Sequence, residues 1–260
     1  MGLTAEQLRD GIDAVAAQEP RVADALARTG YPEPRLRDTG YKTLLRTIVG
    51  QQVSVAAAAS VWTKLEAELG ENFTPACLLE RDFDTLRACG LSRQKQGYAR
   101  SLCELVADGE LDLESLPGDD EAAIAELTRI KGIGRWSAEI YLLFAEGRPD
   151  IWPAGDLAVQ AGLGKLLDLK ERPSEKETRA LAEDWRPHRG AMAIFTWHIY
   201  NNPALRADAS RRLGRDTTWR TARLSSSAAE ARASGGRSRS ASGARAGSWA
   251  SAISMRMAWL

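Results

Sequence analysis

Lys131-Gly132-Ile133-Gly134 joins two stretches of helical periodicity, and this short glycine hairpin restricts what the surrounding chain can become. Ile124, Leu127 and Ile130 give the segment before it one apolar face, and Trp136, Ile140, Leu143 and Phe144 do the same for the segment after it. Glycine reaches backbone angles closed to other residues and lets a second backbone come close. The second helix therefore starts near Gly134. Its first N–H groups lack intrahelical acceptors and carry the positive end of the helix dipole. Such an end can hold a phosphate without touching a base. Lys131 and Arg135 flank the glycines with positive charge. A plain turn between two core helices accounts for the same glycines, so both readings stand at this point.

Further on, Pro153-Ala154-Gly155 makes a turn that delivers Asp156 to the start of another helix. A lone carboxylate beside a held phosphate fits chemistry on a nucleic acid. Asp is also a favoured N-cap, so a purely structural Asp156 is the competing reading.

The remaining chain reads as helix almost throughout. Helices are expected near residues 4–17, 20–29, 40–49, 54–69, 92–108, 119–130, 134–147, 156–167, 175–185 and 189–200. Pro20, Gly30, Gly70, Gly109, Pro149, Pro173 and Pro187 fall between or at the ends of these segments, where helix breakers belong. No run alternates as a strand does, so the expected class is all-α. With 260 residues and 44% hydrophobic content, the chain can build one large or two small domains. No apolar run is long enough to span a membrane and no charged-then-apolar leader is visible, so a cytoplasmic protein without a membrane partner is expected. Cys77, Cys89 and Cys103 are odd in number and widely spaced, which suits neither a disulfide framework nor a zinc site. They read as small buried hydrophobes. His188 and His198 lack metal-ligand spacing and read as structural.

The stretch from Leu127 to Asp156 resembles the helix-hairpin-helix (HhH-GPD) DNA glycosylases, and among them the 3-methyladenine DNA glycosylase II branch. Three further segments agree, in the family's order: Ile48-Val49-Gly50-Gln51-Gln52-Val53-Ser54, Gly90-Leu91-Ser92-Arg93-Gln94-Lys95, and Trp185-Arg186-Pro187-His188-Arg189-Gly190 through Trp197. The resemblance covers roughly residues 1 to 203, a domain-sized length. It implies two helical lobes about a cleft, one near 41–150 and the other combining 1–40 with 151–203; the β-rich N-terminal domain of some relatives is not expected, because the chain enters helix by about Thr4. It also implies a monomeric, monofunctional enzyme that acts on double-stranded DNA in base excision repair, associated with the nucleoid. Its substrates would be alkylated purines such as 3-methyladenine and 7-methylguanine.

The resemblance carries over to single residues. Asp156 matches the family's catalytic Asp. Trp136 and Trp197 match positions that wall the base pocket. Gln52 matches the residue that wedges into the base stack, where a relative carries an apolar side chain. Capping of the helix that begins near residue 54 is the alternative for Gln51 and Gln52. Lys131, Gly132, Gly134 and Arg135 would hold DNA at the hairpin. The backbone carbonyls of Thr128, Ile130 and Ile133 would bind a monovalent cation there. No other cofactor is implied. The iron–sulfur cluster of some relatives needs four grouped cysteines, which this chain lacks. Relatives that cut the strand carry a Lys two residues after the second hairpin glycine, where this chain has Trp136.

The implied chemistry is hydrolysis of the bond between base and deoxyribose. Departure of the base builds positive charge on the sugar, as in other glycoside cleavage. A fixed carboxylate can stabilise that charge and orient the attacking water. The target base must first leave the duplex. Electron-rich indoles then attract a cationic base through cation–π contact. Two other functions compete: a glycosylase of the same fold for another damaged base, and a non-catalytic helix-hairpin-helix module that only binds DNA. The Asp156 turn and the Trp197 segment argue against the last, since binding alone requires neither.

Residues 204–260 change in character, being rich in Arg, Ser, Ala and Gly with no Lys. They hold eleven Arg against three acids, a net charge of +8, which leaves −8 on residues 1–203. A negative core is awkward for DNA binding, because phosphate neutralisation usually dominates affinity, so any basic face must be local. The extension is expected to be disordered, with a nonspecific DNA-holding arm as the alternative.

Overall fold

A computed structural model of the chain describes residues 2–202. The Arg/Ser-rich extension, with the expectations attached to it, lies outside the described residues. Within them the chain is helical, with no strand. The elements are α1 (Ala5–Ala16), α2 (Pro20–Thr29), α3 (Tyr41–Gly50), α4 (Val55–Leu69), α5 (Pro75–Leu79), α6 (Phe83–Ala88), α7 (Arg93–Ala107), α8 (Asp120–Thr128), α9 (Arg135–Tyr141), α10 (Leu157–Leu166), α11 (Glu175–Leu181) and α12 (Arg189–Asn201).

Helix starts follow from side chains that satisfy the otherwise unpaired first N–H groups. Thr4 and Gln7 form a reciprocal capping box at α1, and Ser174 and Glu177 form another at α11. Ser54, Asp82, Ser92 and Asp119 accept from the third residue inward at α4, α6, α7 and α8. The cap of α4 is thus Ser54, not Gln51 or Gln52.

The structure departs from the expected helices in three places. α5 and α6, of five and six residues, lie in a stretch where the sequence pattern predicts no helix, because such short segments show no period. The segment expected as one helix over 134–147 changes pitch: α9 ends at Tyr141 and Leu142–Glu146 continues as a π-helix. The segment over 175–185 breaks at Ala182 into α11 and a 3₁₀ turn, Glu183–Trp185.

Two sets of helices pack within themselves. α1, α2, α10 and α12 make one, joined by α11 through α10. α3 packs with α4 and α7, and α7 also takes α5 and α6. α8 lies on α9, and α9 on α3. One continuous apolar core takes residues from all of them except α11, from Leu8 and Ile12 through Leu44, Leu102 and Leu127 to Phe195. α10 and α12 approach closely. A side chain at Gly162 would strike the Thr196 carbonyl, so only glycine lets the two backbones meet there. That approach brings the residue after Thr196, Trp197, beside the start of α10.

Candidate active site

The site begins with Asp156 as the N-cap of α10. Its Oδ1 accepts the N–H groups of Ala158 (2.8 Å) and Val159 (2.9 Å), so the structural role expected of it is present. It does not exhaust the residue. Trp197 donates its indole N–H to the same oxygen at 3.0 Å, and Trp136 donates to Oδ2 at 2.9 Å. Asp156 is only 4% exposed, so these four donors replace water almost completely. Removing a carboxylate from water is costly unless hydrogen bonds substitute for the lost hydration. A cap needs one or two donors, and the two indoles are additional. They come from α12 and α9, so three separate elements meet on one carboxylate.

Local contacts set that geometry. The Pro153 carbonyl accepts from the Asp156 N–H at 2.9 Å, closing the turn, and Gln160 holds the Ala154 carbonyl at 2.8 Å. Trp152 donates to the Thr178 carbonyl at 2.9 Å, anchoring the turn on α11. Trp197 is buried and stacks on Phe144, ring centroids 5.5 Å apart. Trp136 is half-buried, so it is the more accessible of the two indoles on Asp156. Trp62, Trp152 and Trp185 are core residues. His198 Nε2 lies 3.0 Å from the Thr29 carbonyl, which ties α12 to the end of α2.

The hairpin connects α8 and α9. Gly132 adopts φ +84°, and a side chain there would overlap the Tyr98 ring. Gly134 is the N-cap of α9 with no side chain to cap it, and the space around its Cα is open. The exposed start of α9 therefore fits an anion. Lys131 is exposed, and its backbone N–H reaches Ser101 Oγ at 3.2 Å. Arg135 is placed differently from a free phosphate ligand. Its guanidinium reaches Glu121 at 2.5 and 2.7 Å and Glu139 at 2.9 Å. These contacts hold the Arg135 guanidinium above its usual range, with the Glu121 hydrogen bonds the largest cause. Glu139 is buried, and loss of water pushes its carboxyl up against the opposing pull of Arg135 and Arg179. Arg135 and Glu139 line a cavity of about 200 Å³ with Arg179, Asp150 and Arg189, where cations and carboxylates alternate.

Gln52 sits exposed in the turn between α3 and α4 at φ +56°, a backbone angle uncommon outside glycine. Val53 beside it is 40% exposed, an apolar side chain on the same turn. Gln51 reaches across to the hairpin and donates to the Gly132 carbonyl at 2.8 Å. That bond links residues 81 apart, and nothing in the sequence pattern announces it. At the proposed cation position, Thr128 ends α8, where carbonyls lack helical partners, and the Ile130 carbonyl accepts from the Ile133 N–H at 3.0 Å. No cluster of three His, Cys, Asp or Glu side chains able to hold a metal exists among the described residues. No described helix is long and apolar enough to cross a membrane.

A hairpin with an uncapped helix start, set beside a buried carboxylate held by two indoles, defines a helix-hairpin-helix protein with a candidate catalytic Asp. The family model described as "HhH-GPD superfamily base excision DNA repair protein" matches residues 45–188, more than half of the chain, and the chain belongs to that family. It is 32% identical over 161 residues to DNA-3-methyladenine glycosylase 1 of Schizosaccharomyces pombe, covering 60% of this chain and 71% of that protein. Among solved structures, it is similar to the DNA-3-methyladenine glycosidase of Bacillus halodurans, with TM-score 0.69 and 28% identity over 74% of this chain and 89% of the other. The S. pombe 3-methyladenine DNA glycosylase in complex with abasic DNA matches with TM-score 0.65 and 27% identity, over 75% of this chain and 98% of that one.

Proposed function

We propose that the chain is a monofunctional DNA glycosylase that flips alkylated purines out of the duplex and removes them by hydrolysis. The observation that carries this reading is the convergence of Trp136, Trp197 and the α10 start on Asp156. The 3-methyladenine glycosylases to which the chain is similar support the substrate class.

The helices divide, in this reading, into a lobe near 41–150 and a second lobe built from 1–40 and 151–203. The site lies where they meet: Trp136 comes from the first, Asp156 and Trp197 from the second. DNA is held by the backbone N–H groups at the start of α9, from Gly134 onward, with Lys131 adding charge. Arg135 contributes its backbone rather than its guanidinium, which Glu121 and Glu139 occupy. Gln52 fills the gap left by the departed base, with Val53 beside it. The half-buried Trp136 offers its ring to the flipped base, and the buried Trp197 backs Asp156. A positively charged purine is attracted to an indole face by about 1–2 kcal/mol once water is excluded. As the base leaves, the carboxylate of Asp156 faces the positive sugar and stabilises it. The methylated base already carries the charge that makes it depart, so no general acid is required.

The carbonyls of Thr128, Ile130 and Ile133 are neutral, hard oxygen donors, and Thr128 supplies an unpaired helix-end carbonyl. They fit a monovalent cation, which would brace the hairpin and add positive field at the phosphate. The protein would act as a monomer in the nucleoid.

The N-cap bonds of Asp156 favour one other reading, a module that binds DNA without chemistry. Duplexes carrying 3-methyladenine, 7-methylguanine, hypoxanthine or oxidised guanine, incubated with the protein and then cleaved with alkali, decide between them. Release of the methylated purines first, with hypoxanthine slower, is expected. Faster release of oxidised guanine would reassign the substrate, and no release of any base would leave the binding module.

A further inference from the structure

The Gly90–Lys95 segment has no part in the chemistry described so far, yet it opens the helix that touches both DNA-facing loops. α7 turns one stripe toward them. Lys95 Nζ donates to the Val49 carbonyl at 2.6 Å, at the end of α3 where the Gln52 turn begins. One turn later, the Tyr98 ring lies under Gly132, leaving no room for a side chain there, and its hydroxyl accepts from Gln94 at 2.6 Å. A further turn on, Ser101 Oγ accepts the Lys131 N–H at 3.2 Å. Gln51 closes the circuit by donating to the Gly132 carbonyl at 2.8 Å.

We propose that Gln51, braced by Lys95, Tyr98 and Ser101 of α7, is a positioning element that locks the Gln52 turn to the phosphate-holding hairpin, so that gripping the backbone and displacing the base become one movement. The inference rests on the assignment of Gln52 as the gap-filling residue. Its physical basis is distance control. A group that must occupy the site of a missing base acts only if its distance from the gripped phosphate is fixed, and small misplacements cost large factors in rate. Left alone, the turn could shift against the hairpin, because Gln52 holds an unfavourable backbone angle and Val53 is exposed. Two side-chain bonds to backbone carbonyls prevent that, Lys95 holding Val49 and Gln51 holding Gly132. Burial of Lys95 pushes its ammonium pKa down, consistent with a cation placed for its hydrogen bond rather than for solvent.

The test compares the full chain with Gln51→Leu, Gln52→Gly, the double variant, Lys95→Met and Lys95→Arg. Base displacement is read by the fluorescence of a 2-aminopurine next to the lesion, and hydrogen exchange of the Gly132–Arg135 amides is read without DNA. Gln51→Leu should lower displacement by about tenfold or more while binding to undamaged duplex stays within about twofold. It should also speed exchange at the hairpin. Lys95→Met should act in the same direction, and Lys95→Arg should restore the wild-type signal. The double variant should be no worse than Gln52→Gly, because both act in one step. Unchanged hairpin exchange in Gln51→Leu overturns the inference, and so do losses that multiply in the double variant. If the wild-type chain releases no damaged base, the proposed function falls, while hydrogen exchange still decides whether the two loops are coupled.

Discussion

Trp136 donates its indole N–H to Oδ2 of Asp156 at 2.9 Å, although the two residues lie 20 apart in sequence. The bond makes the carboxylate and the indole a single unit. An indole N–H can only donate and an ionised carboxylate can only accept, so each orients the other. Disturbing either member moves the negative charge.

Asp156→Asn removes that charge and places an NH₂ group where only acceptors fit. Whichever way the amide turns, its nitrogen faces at least one donor among Trp136, Trp197 and the α10 amides. Base release should fall by about a hundredfold or more, the usual scale for losing one preorganised electrostatic group. DNA affinity should persist. Near-normal release by this variant in single-turnover assays would remove Asp156 from the chemistry.

Gly134→Asp separates stability from binding. The space beside Gly134 is open, and Asp is a good N-cap, so thermal stability should hold or rise by roughly 0.3 kcal/mol. The same carboxylate repels a phosphate at the start of α9. Affinity for damaged and undamaged duplex should drop together, since backbone contacts carry no sequence information. Intact binding would show that the phosphate sits elsewhere.

Strand cleavage should be absent. A Schiff base requires an amine close to the sugar. The position that carries Lys in strand-cutting relatives is Trp136, whose N–H is engaged by Asp156. The product should be an intact abasic site. A covalent protein–DNA adduct after borohydride treatment would contradict this.

Thiol chemistry gives an independent check of the fold. Burial pushes the Cys103 thiol up to about 12 and raises Cys89, whereas a hydrogen bond with Thr74 lowers Cys77. The thiolate is the reactive form, so near pH 8 Cys77 should react first with a disulfide reagent. Cys89 and Cys103 should respond only after unfolding. Rapid loss of a second thiol from the native protein would contradict the burial of Cys89 and Cys103.

The long helices are legible in the sequence through apolar period and breakers, because burial of one face selects both. Asp156 stands out through its Pro-Gly turn, and the hairpin through its glycines. The short helices α5 and α6 carry their signals only at their starts, Pro75 and Asp82, and have no room for periodicity. The pitch change at Leu142 leaves no local mark in the sequence pattern. Arg135 carries two signals. Its place beside the glycines suggests a phosphate ligand, while the Glu139 four residues on signals an internal pair. The Gln51–Gly132 and Trp197–Asp156 bonds join distant segments, so only the folded chain reveals them.

Two indoles resting on one buried carboxylate also make the protein its own optical reporter. Tryptophan emission responds to nearby charge and to stacked rings, so a base entering against Trp136 should dim or shift the signal before any bond breaks. Trp62, Trp152 and Trp185, packed in the core, supply a steady background. Stopped-flow fluorescence of the unlabelled protein could therefore time the arrival of the base separately from its release.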